Sequence, residues 1–288
     1  MKLVTTTDAL SKEFGLKGAI KHIKEAGFDA YDCSLFESMK PGEPLALTAK
    51  FDYAREVRRF ADSLGILCTQ THAPFPPLRS ADDIKAVIES HIEAIEVSAI
   101  LGAQVIVIHP SSAVSMQENF DLLYTPLLPY AKKHNIKIAT ENMFKWNASK
   151  TETVPAACGT VEEFCEYVDY PKSEYFTACL DIGHTELPNT EGAVAFIRGM
   201  GKERISALHI HDNDKISDKH VFPMTGSINW DEVCRALAEI DYGGNFTFEA
   251  DSTLYNYPPE LLPTALALLH KIGRHLIGKI ESYKKIAN

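Results

Sequence analysis

The chain reads as an α/β protein folded into a single (β/α)8 TIM barrel, and three features of the sequence predict it. Short apolar, β-rich runs alternate eight times with longer amphipathic runs, the pattern of parallel strands joined by outer helices. The last six strand runs each carry, at or near their ends, a side chain of metal-binding type. In a closed barrel such ends converge on one mouth. No GxGxxG follows the first strand, which speaks against a doubly wound dinucleotide-binding sheet and against a nucleotide cofactor.

The elements follow in order. The first strand is expected over residues 2–5 and its helix over 16–26, ended by Gly27, a residue type suited to a helix C-terminus. Strand two spans 30–34, and its helix lies within 49–64 and stops at Gly65. Strand three covers 66–72, after which the Pro-rich stretch 74–77 forces a loop. The third helix runs from Asp82 to Leu101, with Gly102 closing it. Strand four, 105–109, contains a continuous VIVI run of the kind buried on both faces. A helix near 119–134 leads to strand five at 137–141. Helices over 161–168, 192–200 and 230–240 alternate with strands at 176–181, 205–211 and 245–249.

With 288 residues, 45% of them apolar, there is material for one large core. No linker or compositional shift divides the chain, so one domain over 1–288 is expected, with a C-terminal helical region at 259–285. The formal charge of −10, from 29 basic and 39 acidic side chains, comes without a visible basic face, which weighs against a nucleic-acid partner. The six cysteines include no CxxC pair, and the N-terminus lacks the apolar core of a signal peptide. No apolar run is long enough to span a bilayer. A cytoplasmic protein is the simplest expectation.

The strand ends carry the chemistry. Strand three ends in His72, strand four in His109, strand five in Glu141 and strand six in Asp181; strand seven carries His209 and strand eight ends in Glu249. A lone histidine here is more often a hydrogen-bonded core residue, and a lone acid more often a helix cap. Six in register would crowd like charges at one mouth, and a cation is the simplest compensation. His184, three residues after Asp181, and the Asp218–His220 pair extend the cluster. His211, just after His209, is read as pointing away from it, in a packing or supporting role. The run Asp212–Asn213–Asp214 reads as a solvated turn. Phe144 and Trp146, just after Glu141, offer either core packing or an aromatic wall for a ligand.

The segments CLDIGH, ALHIHDND, DKHVFPMTGSINW and FTFEAD together resemble the xylose-isomerase-like barrel superfamily, which contains sugar and sugar-phosphate isomerases and epimerases and the type-four apurinic-site endonucleases. The similarity runs from the first strand to Glu249. By resemblance to the ketose 3-epimerases, Glu141, Asp181, His209 and Glu249 hold one metal ion. The same resemblance makes Glu141 and Glu249 the acid and base and has His184 contact substrate. Lys215 stands where the epimerases have a substrate-binding arginine, keeping the charge but losing the planar fork. By resemblance to the endonucleases, His72, His109, His184, Asp218 and His220 hold additional zinc ions.

The expected activity is therefore isomerisation or epimerisation of a small sugar, keto-polyol or sugar phosphate, with proton transfer through a metal-stabilised enediolate. Trp146, His184 and Lys215 are its candidate substrate contacts. The alternative is a multinuclear zinc phosphodiesterase. Oxygen-rich ligation suits Mn²⁺ or Mg²⁺, and extra imidazoles favour Zn²⁺. The particular sugar and the oligomeric state are left open.

Overall fold

The computed structural model describes residues 1–75 and 84–287. Eight parallel strands form the barrel: β1 (Leu3–Thr6), β2 (Ala30–Ser34), β3 (Leu67–His72), β4 (Val105–Val107), β5 (Lys137–Glu141), β8 (Phe176–Asp181), β9 (Ile205–His209) and β10 (Phe246–Phe248). Their order is β10-β1-β2-β3-β4-β5-β8-β9. A single bridge closes the last seam, where Ile210 N–H donates to the Thr247 carbonyl at 2.9 Å and Glu249 N–H donates to Ile210 at 3.1 Å. Two short strands, β6 (Phe144–Trp146) and β7 (Thr153–Pro155), form an antiparallel hairpin above the mouth side of β5. The sequence pattern did not predict this hairpin.

Apolar periodicity located most elements, and the departures have local causes. The first helix begins at Asp8 and not at residue 16, because a break at Gly15 (φ 66°) divides Asp8–Glu25 into two helical pieces. Only the second piece has an uninterrupted amphipathic pattern. The helix Lys50–Leu64 ends where Gly65 adopts φ 65° and its N–H bonds back to Ala61, a conformation that costs glycine nothing sterically. The predicted helix over 119–134 is three pieces: Met116–Asn119 behind a Ser115–Glu118 capping box, a π-helical turn Phe120–Tyr124, and Thr125–His134. The expected proline loop and the helix start at Asp82 fall largely at 76–83, outside the described residues. The ladders of β4 and β9 stop at Val107 and His209, short of the expected ends. His109 and His211 therefore belong to the mouth loops.

The main core lies between the strands and the outer helices. The helix Trp230–Glu239 packs against the C-terminal helix Leu262–Ala287, with buried Cys234 beside Leu276, and Leu276 and Ile280 are fully buried. Each such side chain contributes about 1.5–3 kcal/mol. Inside the barrel, Val105, Val107, Ala139, Cys179 and Ala207 form a separate small cluster. The strands opposite carry buried Asp32, Gln70 and Thr247. The lumen is thus apolar on one side and polar on the other, beneath the mouth. No helix among the described residues is long and apolar enough to cross a membrane.

Candidate metal centre

The ends of β5, β8 and β9 and the residue after β10 bring Glu141, Asp181, His209 and Glu249 together, their ligand atoms all within 4.8 Å of one another. His209 Nδ1 lies 3.3 Å from Glu141, 3.2 Å from Glu249 and 3.9 Å from Asp181. Glu141, Asp181 and His209 are buried, while the Glu249 side chain is 22% exposed and faces the mouth cavity. That cavity has a volume of about 320 Å³. Its lining includes Asp8, Glu141, His184, Asp218, His220 and Glu249.

Two further groups flank this set. His72 and His109 meet through their Nε2 atoms at 2.8 Å, and His109 Nε2 is 3.0 Å from Glu141 Oε2. On the other side, His184, His211, Asp218 and His220 converge. His220 Nε2 is 2.9 Å from Asp218, and His184 Nε2 is 3.5 Å from the same carboxylate. His211 Nε2 lies 3.1 Å from Asp181 and the ring stacks on His220, centroids 3.9 Å apart. Three of these histidines share one arrangement. Nδ1 of His72, His184 and His220 lies 2.8–3.0 Å from the backbone carbonyl of Ala73, Asn142 and Glu249 respectively. With a proton on Nδ1 each donates to that carbonyl, which leaves Nε2 turned toward the cluster, the usual preparation of an imidazole ligand.

The electrostatics are those of a set that holds positive charge. Burial drives the Glu141 carboxyl upward, but His209 and His109 outweigh it and hold it well below the usual carboxylate range. Burial likewise opposes a charge on His220, yet Asp218 raises it to about 10. His184 is raised well above its ordinary value for the same reason, by Asp181 and Asp218. His72 behaves oppositely: burial and the neighbouring His109 push it down to about 3. Glu141 Oε2, both ring nitrogens of His209, His211 Nδ1 and Asp218 Oδ1 are buried without a hydrogen-bond partner among the described residues. Leaving such atoms unsatisfied costs about 1–3 kcal/mol each. Orphaned donors of this chemistry at this spacing fit a divalent cation held by Glu141, Asp181, His209 and Glu249.

Local sequence explains how the set is assembled. In CLDIGH, Gly183 lets the His211 ring lie against its backbone: a Cβ there would come within 1.9 Å of the ring. His211 was expected to point away from His209; it faces the cluster, because residues two apart on an extended segment share one face. The expected solvated turn at 212–214 is also corrected. Asp212 is fully buried and accepts hydrogen bonds from the N–H groups of Met224 and Ile228 and from Trp230 Nε1. It thereby pins the loop that carries Asp218 and His220. Asn213 is buried as well and donates to the Gly183 carbonyl at 2.8 Å. Asp214 is the member of the run that pairs at the surface, with Lys219 at 2.7 Å.

Of the candidate substrate contacts, His184 lines the cavity, with the Phe144 ring edge-on at 5.0 Å. Trp146 is 49% exposed on β6, and Phe144 of the same strand lines the cavity. Lys215 is held by Glu186 at 2.7 Å beyond the described cavity lining. Asp32 and Cys179, buried below the ligand set, were not singled out by sequence because a single polar residue within a strand has no distinguishing local pattern.

Fold and site together define a (β/α)8 barrel with a carboxylate–histidine centre at the C-terminal mouth. The chain belongs to the xylose isomerase-like TIM barrel family, whose model matches residues 20–272. It is 29% identical over 252 residues to an uncharacterised protein of Methanocaldococcus jannaschii, covering 81% of this chain and 78% of that one. An uncharacterised protein of Sinorhizobium fredii is 26% identical over 243 residues, covering 81% and 70%. Among solved structures, a D-tagatose 3-epimerase-like protein superposes with a TM-score of 0.69 at 25% identity, covering 94% of this chain and 99% of that one. An L-ribulose 3-epimerase superposes with a TM-score of 0.73 at 16% identity, covering 99% and 96%; that second likeness is one of fold.

Proposed function

We propose that the chain is a divalent-metal-dependent isomerase or epimerase of a small sugar, keto-polyol or sugar phosphate. The observation that carries this reading is the placement of two carboxylates, Glu141 and Glu249. They approach the same nitrogen of His209 from different strands, and both line the mouth cavity. The likeness to a D-tagatose 3-epimerase-like protein supports the same class. Glu141, Asp181, His209 and Glu249 would hold the cation. When bound, it supplies Lewis-acid polarisation of a carbonyl and its neighbouring hydroxyl.

The chain's own residues do the rest. One of Glu141 and Glu249 takes the proton from the carbon next to the carbonyl, and the other returns a proton to the opposite face or to the adjacent atom. Their environments differ in the way that paired acid–base groups require. Glu141 is sealed among imidazoles, and Glu249 is open to the cavity. His184 and Phe144 form one wall against a bound ligand.

The test is incubation with candidate ketoses and their phosphates in D₂O with Mn²⁺, Mg²⁺ or Zn²⁺ added. Deuterium at the carbon beside the carbonyl, together with a new sugar isomer, is expected. A second reading is a multinuclear zinc phosphodiesterase, favoured by the flanking set His184, His211, Asp218 and His220. Phosphate-ester cleavage with no C–H exchange would establish that reading in place of the first.

A further inference from the structure

A carboxylate beneath the centre has no part in the chemistry above. Asp32 stands in β2 with its side chain buried in the barrel. β2 and β3 pair so that Asp32 lies opposite Gln70, and Gln70 Nε2 donates to Asp32 Oδ2 at 2.8 Å. The Thr247 hydroxyl of β10 donates in turn to Gln70 Oε1 at 3.4 Å. This chain of contacts leaves Asp32 Oδ1 buried with no hydrogen-bond partner among the described residues.

His209 faces Asp32 across the lumen. Its Nδ1 is directed at Glu141, Glu249 and Asp181. Its Nε2 is 3.8 Å from Asp32 Oδ2 and is also buried without a partner among the described residues. A neutral imidazole carries one N–H and one lone pair. If Nδ1 gives its lone pair to a cation, Nε2 must carry the proton. In a dry interior that proton needs an acceptor. The 3.8 Å separation is longer than a hydrogen bond, so the bond forms only when the ring turns toward Asp32.

We infer that Asp32 is the positioning residue for His209: it accepts the Nε2 proton and so presents Nδ1, in the ligating tautomer, to a divalent cation. The inference rests on the metal-centre reading proposed above. The Gln70–Thr247 chain holds the carboxylate in place, and a carboxylate accepting the Nε2 proton strengthens the imidazole as a ligand. The rival partner is the Cys179 thiol, which also lies beside the His209 ring.

The experiment is competition of the full chain with a chromophoric chelator for Zn²⁺ and Mn²⁺, comparing wild type with Asp32→Ala, Asp32→Asn and Cys179→Ala. Asp32→Ala is expected to weaken binding about 10–100-fold, the usual effect of losing an outer-shell carboxylate, and Asp32→Asn by a smaller factor. Cys179→Ala should bind like wild type. Loading with Co²⁺ gives a second readout, a visible absorption band that shifts in Asp32→Ala. Asparagine is isosteric with aspartate, so that variant decides the matter even where alanine perturbs folding. Wild-type affinity in both Asp32 variants, with only a lower melting temperature of the metal-free protein, overturns the inference and leaves Asp32 a packing residue. Loss of affinity in Cys179→Ala alone overturns it in favour of the thiol. A wild-type chain that binds neither cation overturns the metal-centre reading as well, whereas tight wild-type binding matched by the Asp32 variants sinks this inference alone.

Discussion

The two ends of the barrel are built from the same strands and obey opposite rules. At the N-terminal end, the polar groups of Asp29 and Thr177 are paired. Leu3 N–H donates to Asp29 at 2.7 Å, and Arg274 donates to the other oxygen of that carboxylate at 2.7 Å. The Thr177 hydroxyl, early in β8, donates to the Arg204 carbonyl at 2.8 Å. At the last residue of the same strand, Asp181 faces Glu141, His209 and His211, and the atoms around it include several buried donors and acceptors with no described partner. Satisfied polar groups stabilise a fold on their own. Unsatisfied ones persist where a ligand completes them. The contrast separates an end whose polar groups are paired from the mouth, which the proposed function makes the binding end.

The sharpest test of that division is Glu141→Gln. It should lower kcat by at least about 10²–10⁴-fold, the typical worth of a positioned acid or base, with an unchanged circular dichroism spectrum. Near-full activity in this variant would remove Glu141 from the chemistry. Chelation comes next. If the mouth is completed by a cation, the loaded chain at a thousandfold excess over Kd should be more stable than the chelated one by about 4 kcal/mol. Scanning calorimetry with and without chelator measures this, and coincident transitions would mean that the mouth is satisfied without a metal.

Gly183→Ala probes how the mouth is packed. The added Cβ, 1.9 Å from the His211 ring, should force that ring aside at about 1–3 kcal/mol in stability, as overpacking does. The measurement is a urea titration of both proteins. Equal midpoints would show that His211 has room to move.

The smallest effect is expected at the other end. Burial raises the Asp29 carboxyl, but Arg274 and the Leu3 N–H outweigh it and leave it below its ordinary value. A carboxylate lowered in the folded state contributes stability above its unfolded pKa and loses it as pH falls through the folded one. Asp29→Asn should thus cost about 1 kcal/mol or less at neutral pH. The difference from wild type should vanish in acid, and kcat/KM should stay unchanged. A catalytic defect in this variant would break the division between the two ends.

The fold was legible because its signals are local. The strand ranges at β2, β5 and β8 match the sequence reading residue for residue, since apolar runs bounded by turn residues need no tertiary information. That Glu141, Asp181 and Glu249 converge was legible by the same logic: they stand at or just past strand ends, and a closed barrel makes strand ends neighbours. Reading failed where strand parity or composition was the guide. His211 was set on the face away from His209 although residues two apart on a strand share a face, and the DND run looked like a solvated turn although Asp212 and Asn213 are sealed inside.

By itself, then, the sequence determined the alternation of eight strands and helices and the residue types that would meet at one mouth, because periodicity and strand ends are properties of neighbouring residues. Tertiary structure alone decided which nitrogen of each histidine faces the cluster, which carboxylate each one meets, and that Asp32, from a strand two places round the ring from β10, lies beneath His209. Those relations depend on where distant segments stop and how their side chains turn in a closed lumen, and no local pattern encodes either.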